Sequence, residues 1–303
     1  GHDSAFIFYV ILNDCLNRRV VSDMRTGLVM EGGAMRGLFT AGVIDVLMEN
    51  GIEFDGAIGV SAGAAFGCNY KSKQIGRVLR YNTKFCNDSR YTGLRSLFTS
   101  GDLYNKKFYY DDLPKRVDVF DLDVYRANPM EFYCVCTNME TGEAVYKRLD
   151  TFDDDELEWL RASASLPIVS TVVEQDGMKL SDGGTSDSVP LEYFESIGYD
   201  RNVVICTQPY GFRKKKLPLL WLIKFCLRKY PVLAKALEDR YLMYNETMVM
   251  LDERAKKGEI FLIRPPVDLN ISPLTNPSEV KRVYEIGRAE GEKHLAAVKA
   301  FLR

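Results

Sequence analysis

Ser61 stands at the centre of Gly59-Val60-Ser61-Ala62-Gly63, a GxSxG pentapeptide. That spacing suits a nucleophilic serine carried on a sharp strand-to-helix turn. Gly59 and Gly63 form the elbow, because such a turn leaves no room for side chains beside the serine. A serine hydroxyl needs a base, and the usual base is histidine. The chain has two histidines, His2 and His294, both near its ends. Another candidate base is Asp182, in Ser181-Asp182-Gly183-Gly184. Asp-Gly is also an ordinary turn signal, and in water an aspartate, with a pKa of about 3.9, is a weak base. Within hydrogen-bond reach of a serine in a water-poor site, it can accept the proton as an oxyanion forms. A third glycine turn runs Glu31-Gly32-Gly33-Ala34-Met35-Arg36-Gly37. Taken alone it has three readings: a structural turn, a phosphate loop, or backbone N–H groups that stabilise an oxyanion.

The elements needed to bring these turns together are legible. Thr26–Gly33 reads as a buried strand entering the first turn. Leu38–Gly51 carries a helical apolar face and ends on Asn50-Gly51, a C-cap signal. Ile52–Val60 is a second short strand with Ser61 at its end, and a small-residue helix follows. Its positive N-terminal end points at the serine. Strand and helix alternate here as in a βαβ unit, which implies a parallel sheet. Met130–Met139 is a strand with Thr141–Leu149 as its antiparallel partner. Asp153–Ser165 is a helix with acids at its start. Gly177–Gly184 ends a strand in the aspartate turn, and Arg201–Gln208 is another buried strand. In a parallel sheet, strand ends converge on one crevice, so Asp182 is expected at the end of a parallel strand beside Ser61. Further along come the helix Arg240–Gly258, the strand Glu259–Pro265 and a helical tail from Pro277 to Arg303. Asp45 and Asp55 read as helix-surface and turn residues.

The three turns, in this order, resemble the patatin-like phospholipase family. That family carries a GGGx[RK]G oxyanion loop, a GxSxG serine and a DG[AG] aspartate. Ala162–Pro167, ASASLP, also resembles the family's stretch upstream of the aspartate. The resemblance covers roughly Thr26 to Gln208. It implies acyl-ester hydrolysis on phospholipid or other fatty-acyl esters through a Ser61–Asp182 dyad. Gly32, Gly33, Ala34, Met35, Arg36 and Gly37 then form the oxyanion loop, and Gly183 and Gly184 the aspartate turn. No cofactor and no metal are implied, so activity should survive a chelator. Ala34 departs from the pattern by replacing a glycine, yet it keeps its N–H. Arg36 either binds lipid phosphate or braces the loop against a carboxylate or carbonyl, the brace being preferred. The implied fold is a three-layer α/β/α sandwich with a mainly parallel central sheet and a helical C-terminal part. Residues 1–210 would form the catalytic domain and 211–303 a basic, helical extension packed on it, as in one bacterial branch.

Composition narrows the alternatives. A formal net charge of −2 over 303 residues argues against a nucleic-acid binder. Seven scattered cysteines suggest free thiols in a reducing, cytoplasmic compartment. Cys134 and Cys136 should share one buried strand face. Ala5–Leu12 is apolar but too short to span a membrane, which takes roughly 20 residues. It reads as a short element packed on the body, without the marks of a signal peptide. Gly211–Leu237 holds eight Lys/Arg and no acid. It is either a core helix with snorkelling lysines or a membrane-facing segment over 213–235. In the second case Trp221 and Phe225 would lie at the interface and Lys214–Lys216 near headgroups of the inner membrane face. Two other functions stay open at this level: a serine peptidase, and a lipid- or nucleotide-binding protein with a dead site. In the nucleotide reading Glu53 or Asp55 would meet the ribose.

Overall fold

The structure is a computed structural model that describes residues 24–86, 108–167, 170–272 and 274–303. Ala5–Leu12 lies outside these residues. β1 (Arg25–Met30) passes through a short 3₁₀ turn into α1 (Gly37–Glu49). β2 (Gly56–Val60) runs straight into α2 (Ala62–Lys71), and α3 (Arg77–Phe85) and α4 (Leu122–Ala127) follow. β3 (Glu131–Asn138) and β4 (Ala144–Arg148) form a hairpin. Next come α5 (Asp154–Ser163), β5 (Val173–Gln175), β6 (Met178–Asp182), α6 (Leu191–Ser196) and β7 (Tyr199–Ile205). α7 (Leu220–Cys226), α8 (Pro231–Lys256), β8 (Phe261–Ile263) and α9 (Pro277–Phe301) complete the chain. α8, expected from Arg240, begins nine residues earlier at Pro231, whereas two other helices start where the sequence signals them. Asp153 caps α5 by accepting from Glu156 N–H at 3.0 Å, and Asn276 caps α9 ahead of a first-turn proline.

The strand order is β5-β6-β3-β2-β1-β7-β8, with β4 also on β3. β3, β2, β1, β7 and β8 run parallel. Alternate residues of the central strands enter different cores, as the two-residue period requires. Leu28, Met30, Phe132, Cys134, Cys136, Val203 and Ile205 join a core with α1, α2, α3, α5 and α9. Val29, Val135 and Val204 join a second core with α6 and α8. This is the expected three-layer sandwich, and both strand cysteines are fully buried. Residues 211–303 supply an edge strand and helices to both faces.

Two expectations need correction. Asp182 does not end a parallel strand: β6 pairs antiparallel with β3, Cys136 facing Asp182. β3 outruns β2, whose last residue, Val60, pairs with Val135. β6 pairs with this overhang and stops level with the end of β2. An antiparallel strand therefore brings its C-terminal end to the crevice that the parallel strands open. Asp45 is not on the surface. It is buried between α1, α3 and α9, accepting from Gly76 N–H at 2.9 Å and Tyr284 O–H at 2.6 Å. Burial pushes its carboxyl up to about 6.

α9 lies so close along α1 that backbones meet. A Cβ on Gly287 would stand 2.0 Å from Phe39 O. Gly287→Leu is therefore expected to lower stability by about 3 kcal/mol, read as a lowered melting temperature. An unchanged melting temperature would contradict this packing.

Candidate active site

The residues of the elbow are held by contacts that exclude larger ones. Ser61 has φ 54° and ψ −122°, a conformation costly for any residue but glycine. A Cβ on Gly63 would lie 2.5 Å from Met30 O, and one on Gly59 would lie 2.5 Å from Ala64 N. The two glycines thus let the turn fold back on itself and against the end of β1. The Ser61 N–H donates to Ser163 Oγ at 3.0 Å, and Ser163 Oγ donates to Val135 O at 2.6 Å. Two residues on, Ser165 O accepts from Asp182 N–H at 2.7 Å. The ASASLP stretch therefore anchors both the serine and the aspartate.

Asp182 is buried, lines the same cavity as Ser61, and is near enough to the Ser61 hydroxyl for that group to favour its ionised form. Its Oδ1 accepts from Gly184 N–H at 2.7 Å. Burial raises its pKa above the usual aspartate range, against the Arg240 charge, the nearby Ser61 hydroxyl and the Gly184 N–H. The Arg240 guanidinium donates through Nε to Gly184 O. Gly183 packs its α-carbon against the Val135 carbonyl, where a Cβ would clash at 2.2 Å. A base must be ionised to act. The kcat/KM for a soluble ester is therefore expected to hold above the pKa of Asp182 and to fall as pH drops through it. The acid limb should lie above the usual aspartate range; a profile flat down to pH 4 would contradict the assignment of Asp182 as base.

The first glycine turn lies beside Ser61, with a Cβ on Gly32 only 3.2 Å from Ser61 Cβ. Within the turn, Arg36 N–H donates to Gly33 O at 3.0 Å, and Gly37 N–H donates to Ala34 O and Met35 O. Those two donors close the turn and are spent. The N–H groups of Gly33 and Ala34 make no such internal bond among the described residues. Ala34 has φ 47°, in the left-handed region where glycine is at ease. Alanine keeps the turn there at a cost of about 1 kcal/mol. Met35 is buried beneath the turn. Arg36 does not brace the loop: its guanidinium has no hydrogen bond or ion pair among the described residues, and Nε is buried without a partner.

These parts line one cavity of about 360 Å³. Its apolar side includes Met35, Ala62, Ala65, Phe66 and Leu166, while Arg36, Lys214 and Arg240 supply charge. Lys214 and Arg240 were not legible as site residues. Their signal is spatial, since α8 and the segment before α7 approach the cavity only once the sheet is built. Glu31 was also missed. It is buried under the loop, where Oε2 accepts from Thr207 N–H and Oε1 from Tyr244 O–H, each at 2.6 Å.

Other candidates fall away from the cavity. His294 lies on α9 against Glu290 and the Phe261 ring. Asp55 accepts from Thr26 N–H and Lys73 pairs with Glu53, both before β2 and so at the opposite edge of the sheet from the loop. Neither acid can meet a ribose held at Gly32–Gly37. The core-helix reading of the basic stretch holds only in part: Leu217 and Ile223 pack against a small core of Leu227, Leu233 and Leu237, while its outward side is exposed. α7 buries no residue, and Trp221 and Phe225 are 70% and 63% exposed. Lys214–Lys216 do not act as one patch: Lys214 lines the cavity, whereas Lys216 pairs with Glu238, as Lys224 does. Among the described residues no helix is long and apolar enough to cross a membrane.

A serine at a strained strand-to-helix turn, a buried carboxylate and a glycine turn thus line one cavity on a mainly parallel α/β sheet, as the three sequence motifs imply. The chain belongs to the patatin-like phospholipase family, whose model matches residues 28–195. Residues 230–303 match a domain of unknown function, DUF6363. The chain is 28% identical to the uncharacterized protein YjjU of Escherichia coli K12, over 93% of this chain and 80% of that protein. It is 24% identical to lysophospholipase nte1 of Aspergillus niger, over 90% of this chain but only 18% of that much longer protein. Among solved structures, the crystal structure of VipD from Legionella pneumophila aligns with a TM-score of 0.42 at 15% identity, over 90% of this chain and 67% of VipD.

Proposed function

We propose that the protein is a serine acyl hydrolase acting on fatty-acyl esters of lipids, phospholipids and lysophospholipids included. Ser61 Oγ attacks the ester carbonyl and Asp182 takes its proton. The N–H groups of Gly33 and Ala34 receive the developing oxyanion. Asp182 returns the proton to the leaving alcohol, and the acyl-enzyme forms. Water, deprotonated by Asp182, then cleaves it and releases the fatty acid. The reading is carried by one observation: Ser61 at a strained elbow and the buried Asp182 line one cavity with the glycine turn. Family membership and the lysophospholipases among the relatives support a lipid substrate. The test is a paired assay of a short-chain nitrophenyl ester and of lysophospholipid. Release of nitrophenol and of fatty acid is expected; absence of both would overturn the reading. Residues 211–303 act in this proposal as an extension that packs on the catalytic part and closes one wall of its cavity.

The approach to lipid belongs to the same proposal. α7 offers Trp221 and Phe225 outward, next to Leu219, which is 62% exposed, with exposed Lys215, Arg228 and Lys229 nearby. Aromatic side chains flanked by cations suit the surface of an anionic membrane. Replacing both Trp221 and Phe225 by serine is expected to lower partitioning onto anionic vesicles about tenfold or more, given about 1.5–3 kcal/mol for fully burying a large apolar side chain. Sedimentation with vesicles reads the effect. Wild-type partitioning in the double variant would make α7 an ordinary solvated face.

A further inference from the structure

We infer that Arg36, Lys214 and Arg240 form a subsite for the phosphate of a phosphate-bearing lipid, two of the three cations coming from the C-terminal part of the chain. The inference rests on the acyl-hydrolase reading for its substrate, though not for the anion site itself. All three side chains line the cavity that holds Ser61 and Asp182. None of them makes an ion pair among the described residues. The chain neutralises its other cations nearby: Lys216 and Lys224 meet Glu238, and Arg161 meets Glu158. Two acids lie close to the trio. Asp182 already accepts from Gly184 N–H, and Glu31 from Thr207 and Tyr244. Two guanidiniums and a lysine amine, which a bound anion would keep protonated, thus line one cavity near two engaged carboxylates, and one of those is neutralised whenever it takes the serine proton.

The cations are also held in place. Asn245 clamps the Lys214 backbone from both sides, accepting from its N–H at 2.8 Å and donating to its carbonyl at 3.0 Å. The Lys214 ammonium sits 3.9 Å from the centroid of the Tyr244 ring, whose hydroxyl is tied to Glu31. Arg240, one helical turn before Tyr244 on α8, is fixed to Gly184 O. Burial and then the Arg240 charge press the Lys214 pKa down to about 7, with Arg36 adding to the effect and Glu31 and Asp182 opposing it. A cation crowded in this way gains by meeting an anion. Two planar guanidiniums and an ammonium lining one cavity suit a tetrahedral, multiply charged oxyanion better than a single carboxylate. The apolar lining, Phe66 and Leu166 included, would take the acyl chain in the same cavity.

Phosphate could reach this cavity on a lipid headgroup or as the free ion, so the experiment has two arms. In the first, calorimetry follows glycerol 3-phosphate and inorganic phosphate binding to Ser61→Ala, with and without Lys214→Met. In the second, kcat/KM for lysophosphatidic acid is divided by that for the monoacylglycerol of the same chain length. Lys214→Met should weaken glycerol 3-phosphate binding at least tenfold and lower the ratio at least tenfold, chiefly through KM for the phosphate lipid. Lys214→Arg should restore most of both. An unchanged ratio and unchanged binding in folded Lys214→Met would overturn the inference. Should that variant fail to fold, the wild-type protein decides. Glycerol 3-phosphate must inhibit hydrolysis of a neutral ester far better than glycerol does, and equal inhibition overturns the subsite. Inorganic phosphate binding as tightly as glycerol 3-phosphate, with no preference for the phosphate lipid, would overturn the headgroup assignment. Phosphate binding without turnover of any ester would sink the hydrolase reading and leave the anion site standing.

Discussion

Ser61→Ala is expected to reduce kcat for a soluble ester by about 10⁴-fold or more, with the melting temperature preserved. Asp182→Asn should cost a similar factor, since the amide cannot accept the serine proton. The double variant should be little worse than either single one, because the two groups act as a unit: a serine without its base and a base without its serine fail alike. Asn at 182 can still accept from Gly184 N–H, so the turn should survive. His294→Ala should leave kcat nearly unchanged, as the ring lies on α9 against Glu290. Multiplicative losses in the double variant would mean that Ser61 and Asp182 act independently.

Glu31→Ala is expected to lower stability by about 2–4 kcal/mol, because it leaves two buried neutral donors without their acceptor. It strands the Thr207 N–H and the Tyr244 hydroxyl, both paired to Glu31 at 2.6 Å. Each stranded buried donor costs about 1–3 kcal/mol. It also removes a negative charge that acts on Lys214. Tyr244→Phe breaks only one of the two bonds and should cost less. A melting-temperature series over wild type, Tyr244→Phe and Glu31→Ala should fall in that order. Activity should fall with Glu31→Ala as well, since Glu31 joins β1 to the loop. Glu31→Ala melting at the wild-type temperature would mean that the carboxylate does not hold α8 onto the sheet.

The strands and turns were readable because each is encoded within a few residues. Asn50-Gly51 stops α1 and Asp153 starts α5 where the sequence places them. The GxSxG turn lies between β2 and α2 as its context demands. Asp182 was found from its turn, but the direction of its strand was not. A strand's own residues do not encode whether it joins its neighbour parallel or antiparallel, and here the overhang of β3 decides. Asp45 was misplaced for a related reason. A polar residue on a helix reads as exposed until a distant helix, α9, brings Tyr284 over it. Lys214 looked like one member of a basic run, although its neighbours go to Glu238 and to solvent while it alone enters the cavity. Glu31 gave no local sign, because its partners lie 176 and 213 residues away in the chain.

The most direct test of the account is to trap the nucleophile. A fluorophosphonate that reacts with activated serines should form a single adduct, mapped by mass spectrometry of the peptide that carries Ser61. Ser61→Ala should take up no label. Asp182→Asn should label far more slowly than wild type, because the base that activates the hydroxyl is gone. Prior incubation with a slowly released acyl ester should protect the wild-type protein. Labelling of another residue with Ser61 untouched, or equal labelling of wild type and Ser61→Ala, would contradict the assignment of Ser61 as the nucleophile.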